Sequence, residues 1–156
     1  MSEVNQSNPE NNEIEERKIV EVWILDDNEA LAESLMRGWE SVGDKFGFEK
    51  YATAKEALVK IEELIQNNKG LPNVIFVDGN LDKDAGELRN GANFIFKVRK
   101  LEVPQPMLIA HSNSSLANRD MMQAGADTTM AKGASLRDYM SFFNALGRNT
   151  EIGPES

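Results

Sequence analysis

Three acids, a hydroxyl and a lysine stand out because each directly follows a short apolar or strand-forming run. Asp26 and Asp27 close Ile19–Leu25, Asp78 closes Asn73–Val77, Ser112 follows Met107–His111, and Lys132 follows Thr128–Ala131. In an open α/β sheet, ligands bind outside the carboxyl ends of the strands, near the point where strand order reverses. If these runs are strands of one sheet, all five residues lie at one edge. Three carboxylates gathered there repel: at ~5 Å and an effective dielectric of ~20, each pair costs about 3 kcal/mol. A divalent cation removes that cost. Hard oxygen ligands with open positions suit Mg2+, which keeps waters and binds through one or two carboxylates plus a phosphate. A lysine opposite the cation neutralises the remaining phosphate oxygens, and a hydroxyl donates to another. The set is a small phosphoryl-transfer site with a carboxylate available as nucleophile.

Each residue also has an ordinary use when taken singly. An Asp pair before a helix caps it, Asp78-Gly79-Asn80 is a turn signal, and a lone lysine is usually solvated. The ordered set, each member at a strand end, favours the site. His111, one residue before Ser112, reads as a packing or surface residue, since nothing around it resembles a phosphotransfer helix.

Positioning these residues requires alternating strands and helices, the pattern of βαβ units and a parallel sheet. Strand-like runs at Ile19–Leu25, Phe46–Tyr51, Asn73–Val77, Met107–His111 and Thr128–Ala131 alternate with helical stretches at Glu29–Val42, Thr53 onward, Gly91–Leu101, Ser115–Ala124 and Ser135–Leu146. Leu31, Leu35 and Trp39 share one helical face, as do Ala57, Leu58, Ile61, Leu64 and Ile65. Thr53 followed by Glu56 predicts a capping box. Residues 1–18 are polar and acidic with no apolar period and read as a disordered leader; 148–156 read as a flexible tail; 19–147 are the folded unit.

Composition narrows the function classes. The chain of 156 residues carries 26 acidic and 17 basic side chains, a net charge of −9, which disfavours direct binding to nucleic acid or to anionic membranes. With no cysteine and one histidine, thiolate chemistry, iron–sulfur clusters and multi-His metal sites are excluded. No apolar run approaches the ~20 residues that span a bilayer, and no basic secretory leader is visible, so a cytoplasmic protein is expected.

The segments VEVWILDD, NVIFVDGN, LIAHS and TTMAK, with TAKEAL and QAGAD, resemble the response-regulator receiver domains of two-component signalling over about Ile19–Leu146. The resemblance implies a flavodoxin-like, doubly wound five-stranded parallel sheet of order 2-1-3-4-5, for which a chemotaxis receiver is a standard illustration. It also implies that Asp78 is the phosphoacceptor, that Asp27 binds Mg2+ directly and Asp26 largely through water, and that Asn80 offers its backbone carbonyl. Ser112 takes the place of the hydroxyl that follows the phosphoryl group, Ser114 being a second candidate for it, and Lys132 that of the phosphate-binding lysine. The implied donor is a histidine kinase or histidine phosphotransfer protein. With no output domain after the last helix, the signal is expected to leave through contact with a downstream target protein or by onward phosphotransfer. Such a chain is a phosphoacceptor with self-directed phosphotransfer and autodephosphorylation, not a classical enzyme.

Four departures from the family pattern carry consequences. Gly133 follows the lysine where proline is common, so glycine's freedom is expected to bend the loop. Thr129 stands where an aromatic switch residue is frequent, Asp78–Gly91 is several residues longer than usual, and Asn113 is larger than the usual small residue. The long loop predicts a lid or contact surface. Two alternatives remain beside the first reading. One is a degenerate receiver that binds partners without phosphorylation. The other is a small phosphohydrolase of the haloacid-dehalogenase type, whose acceptor motif should precede the other site residues, unlike here.

Overall fold

The run VEVWIL alternates its side chains between two faces, and both faces are covered. In the computed structural model, which describes residues 19–152, it forms β1 (Val20–Leu25), joined by β2 (Phe46–Tyr51), β3 (Val74–Val77), β4 (Met107–Ala110) and β5 (Thr128–Thr129). All four neighbouring pairs are parallel, and the order is β2-β1-β3-β4-β5, as the resemblance implies. The helices are α1 (Glu29–Trp39), α2 (Ala54–Gln66), α3 (Gly91–Arg99), α4 (Ser115–Ala124) and α5 (Leu136–Ile152). None is long and apolar enough to cross a membrane. The leader, 1–18, and the end of the tail, 153–156, lie outside the described residues.

Strand alternation divides the core. Val22, Ile24, Val74, Phe76 and Ile109 face α1 and α5, where Trp39, Tyr139 and Phe143 are fully buried. Trp23, Leu25, Ile75, Val77, Leu108 and Ala110 face α2, α3 and α4, against Ile61, Phe94, Ile95, Val98 and Met121. Burying each such side chain contributes roughly 1.5–3 kcal/mol, and together they hold the carboxyl ends of β1, β3 and β4 level.

Several boundaries differ from the sequence reading. The first helix gives way to a 3-10 turn at Glu40–Val42, closed by Gly43 at φ 115°. β5 is two residues long rather than four, and both its threonines are exposed. The last helix runs past Gly147 to Ile152, so the tail expected from 148 begins as helix. Glycine inside a helix costs only about 1 kcal/mol, and a Cβ at Gly147 would make only ordinary contact with the Phe46 ring, at 3.5 Å.

The capping box at α2 is half realised. Thr53 Oγ1 accepts from Glu56 N–H at 3.1 Å, but the first free N–H groups are taken by Asp84, whose Oδ2 accepts from Ala54 N–H at 2.7 Å and Oδ1 from Lys55 N–H at 3.1 Å. Asp84 comes from the long segment after β3. A carboxylate there is favoured twice, by charge-assisted hydrogen bonds and by the positive end of the helix dipole.

Candidate functional site

The chain leaves β1 through Asp26, whose Oδ1 accepts from Asn28 N–H at 2.9 Å. Asn28, not the aspartates, caps α1: its Oδ1 accepts from Leu31 N–H at 3.1 Å. Both acids are thereby free to face the strand edge. Asp78 ends β3 one strand away. Asp26, Asp27 and Asp78 each bring a carboxylate oxygen to within 4.8 Å of the others. Asp26 and Asp78 are 1% and 5% exposed, so their charges have little water to stabilise them.

Lys132 reaches in from beyond β5, its Nζ 2.9 Å from Asp26 Oδ2 and 3.0 Å from Asp78 Oδ2. Burial pulls the ammonium toward deprotonation, but the two carboxylates outweigh it and leave its pKa raised. Asp78 is pushed up to about 6, by burial first and by the charge of Asp26 second, with Lys132 opposing both. One cation therefore serves two buried acids with a third beside them, which leaves a net negative pocket.

Ser112, 5% exposed, follows β4. Its hydroxyl accepts from Ser114 N–H at 3.0 Å and lies over Gly79, where a Cβ would stand 3.7 Å from it. Ser114 instead caps α4, accepting from Ala117 N–H at 3.1 Å. Asn80 is exposed, and its residue forms an antiparallel bridge with Asn90. The bridge bonds run from Gly91 N–H to Gly79 C=O and from Leu81 N–H to Arg89 C=O, and no described residue donates to the Asn80 carbonyl.

The long segment after Asp78 is a strap across this pocket. Leu81 is buried, Asp82 N–H donates to Asp27 Oδ2 at 2.8 Å, Lys83 pairs with Glu29 at 2.8 Å, and Asp84 is anchored on α2. Its return is closed by Gly91, where a Cβ would collide with the Asp78 carbonyl. No local signal in the sequence reveals Asp84's role, because its partners lie about thirty residues earlier.

The loop after Lys132 corrects a sequence expectation. Gly133 does not take a positive φ; among the described glycines only Gly43, Gly86 and Gly125 do. The loop is shaped by bonds instead, from Gly133 N–H to Asn113 Oδ1 at 3.2 Å and from Ala134 N–H to Ala131 C=O at 3.0 Å. His111, expected to pack or lie at the surface, is buried and bonded, its Nε2 2.7 Å from the Tyr139 hydroxyl. Burial, then the charge of Lys132, pushes its pKa down to about 4.

A magnesium ion fits this donor set on the structure's own terms. Three hard oxygen ligands converge, and Asp26 Oδ2 is buried with an ion-pair contact to Lys132 but no aligned hydrogen-bond donor. A buried carboxylate oxygen left in that condition is costly, and the Asn80 carbonyl, two residues after Asp78, accepts no hydrogen bond from the described residues.

No protein-family model matches the chain, and no curated protein sequence does. Solved structures do. The chain is similar to a CheY-like response regulator receiver domain protein from Methanospirillum hungatei (24% identity, TM-score 0.63, covering 86% of this chain and 98% of the other). It is also similar to the receiver domain of a Francisella response regulator (22%, TM-score 0.61, 84% and 98%) and to a CheY-like receiver domain from Methylobacillus flagellatus (16%, TM-score 0.65, 81% and 98%). At these identities the likeness is one of fold, and the fold is that of the CheY-like receiver domains.

Proposed function

We propose that the protein is a response-regulator receiver that accepts a phosphoryl group on Asp78 from the phosphohistidine of a kinase or phosphotransfer protein. The observation that carries this reading is Lys132 Nζ held between Asp26 and Asp78 at 2.9 and 3.0 Å, in a buried, net negative pocket at the carboxyl ends of the strands. An Asp78 carboxylate oxygen attacks phosphorus, the P–O bond forms as the P–N bond breaks, and the imidazole leaves with the electron pair. With its pKa near 6, Asp78 is largely ionised at neutral pH and thus nucleophilic. Lys132 is placed to balance the charge on the phosphoryl oxygens, and Ser112 to donate its hydroxyl to one of them. Asp26, Asp27, Asp78 and the Asn80 carbonyl would hold Mg2+, which when bound neutralises the acids and the incoming phosphoryl group.

A signalling role follows from this chemistry. The adduct adds charge next to three loops, and the altered surface is read by a target protein or the phosphoryl group is passed on. Such a protein works in the cytoplasm, where kinase and target are found. The direct test is mass spectrometry after incubation with acetyl phosphate and Mg2+. One hydroxylamine-labile phosphoryl group on Asp78, lost in Asp78→Asn, is expected. An unmodified chain would favour the partner-binding alternative without phosphorylation, and a group mapped to a serine or to His111 would refute the acceptor assignment.

A further inference from the structure

Ser112 and Lys132 come from different strands, yet their neighbours in sequence are tied to each other on both sides. His111 precedes Ser112 and places Nε2 2.7 Å from the Tyr139 hydroxyl, which lies 3.3 Å from the carbonyl of Ala131, the residue before Lys132. Asn113 follows Ser112, and its Oδ1 accepts from the N–H of Gly133, the residue after Lys132, at 3.2 Å. The last backbone bond between these two strands is from Met130 N–H to Ala110 C=O. Beyond that point, side chains alone join the two site-bearing segments.

The inner tie is an unusual use of core space. Tyr139 packs against Trp39 with ring centroids 4.9 Å apart and the rings tilted by 50°, and His111 meets Phe76 edge to face at 5.1 Å. Apolar residues would fill this volume without the cost of burying two polar groups, a cost that only their hydrogen bonds offset. The Tyr139 hydroxyl takes part in both contacts, donating to the Ala131 carbonyl while paired with His111 Nε2, so displacing either segment forces the other contact to readjust. Tyr139 also belongs to α5, which links the strand ends to a whole helix.

We propose that Tyr139 is a positioning residue which, with Asn113, couples Ser112 to Lys132, so that a phosphoryl group drawing either toward Asp78 displaces both segments and α5 together. The proposal rests on the phosphoacceptor reading above. It offers a route for the signal that does not pass through Thr129, which is exposed and too small to fill or vacate a pocket.

The full chain contains one histidine, so its imidazole resonances are unambiguous in NMR. Titration with beryllofluoride and Mg2+ should shift the His111 ring and the Gly133 and Tyr139 amides along the same binding curve as the neighbours of Asp78. Tyr139→Phe keeps the ring and removes the tie; affinity for beryllofluoride should fall roughly three- to ten-fold, the worth of about one net hydrogen bond, and the α5 shifts should vanish. Asn113→Ala, at an exposed position independent of core packing, should uncouple Gly133 while leaving the His111 response. A wild-type protein that binds beryllofluoride with His111 and α5 unmoved overturns the coupling alone. So do variants with the wild-type affinity and shift pattern, whatever their melting points. No binding of beryllofluoride to the wild-type site overturns the phosphoacceptor reading and the coupling with it.

Discussion

Replacing Asp78 with asparagine should stabilise the metal-free protein at neutral pH, and the gain should vanish in acid. Asp78 has its pKa raised from 3.8 to about 6 by burial and by Asp26, even with Lys132 beside it. Between those two values the folded state holds a proton that the unfolded state has released, so stability falls as pH rises through the interval and stays at the lower level above it. Two units correspond to about 3 kcal/mol at 1.36 kcal/mol per unit; because asparagine does not reproduce the hydrogen bonding of the protonated acid and leaves Lys132 with Asp26 alone, about 1–2 kcal/mol is the expectation. Asparagine keeps the shape and never ionises. At pH 7.5 in chelator, Asp78→Asn should therefore melt about 2–6 °C above the wild type for a domain of this size, with the gap closing by about pH 4. Millimolar Mg2+ should narrow it at neutral pH, since the ion stabilises only the protein whose acids can bind it. Denaturant unfolding of both proteins from pH 4 to 8 measures the difference directly. A variant no more stable than the wild type at pH 7.5, or a gap independent of pH, would refute the claim that this pocket holds an uncompensated charge.

Other consequences follow from single contacts. The His111 imidazole should stay neutral until about pH 4, against 6.5 when unfolded, so this group lowers stability as pH falls through that window; an NMR titration of the lone histidine with a midpoint near 6.5 would show that its environment is wrong. Asp84→Ala should cost about 2–3 kcal/mol by freeing two α2 N–H groups and the strap, measured by urea unfolding, and a loss under 0.5 kcal/mol would mean the strap is not anchored there. Gly91→Ala should cost more than about 3 kcal/mol, because the new Cβ would meet the Asp78 backbone rather than a movable side chain; a near-neutral change in melting temperature would contradict that packing. Wild-type melting should rise in millimolar Mg2+ at low ionic strength, and Asp27→Asn should blunt the rise.

The strands, most of the helix faces and the order of the polar residues were readable in the sequence because they rest on local rules. Period-two and period-3.6 patterns mark buried faces, and a polar residue after an apolar run marks a strand end wherever the chain later goes. Asp26, Asp27, Asp78, Ser112 and Lys132 could be named on that basis alone. Three further features depended on tertiary structure. Asp84 caps a helix that begins thirty positions before it, Asn113 fixes the loop that glycine was expected to bend, and His111 meets Tyr139 of α5. Each is a polar contact between segments remote in sequence, made by one hydrogen bond or two, and such contacts leave no periodicity to detect. The last helix also runs beyond the span expected from sequence: Gly147 weakens a helix by only about 1 kcal/mol, too little to end it. Local pattern decides which residues reach the edge of the sheet, whereas only the folded chain decides which of them hold one another in place.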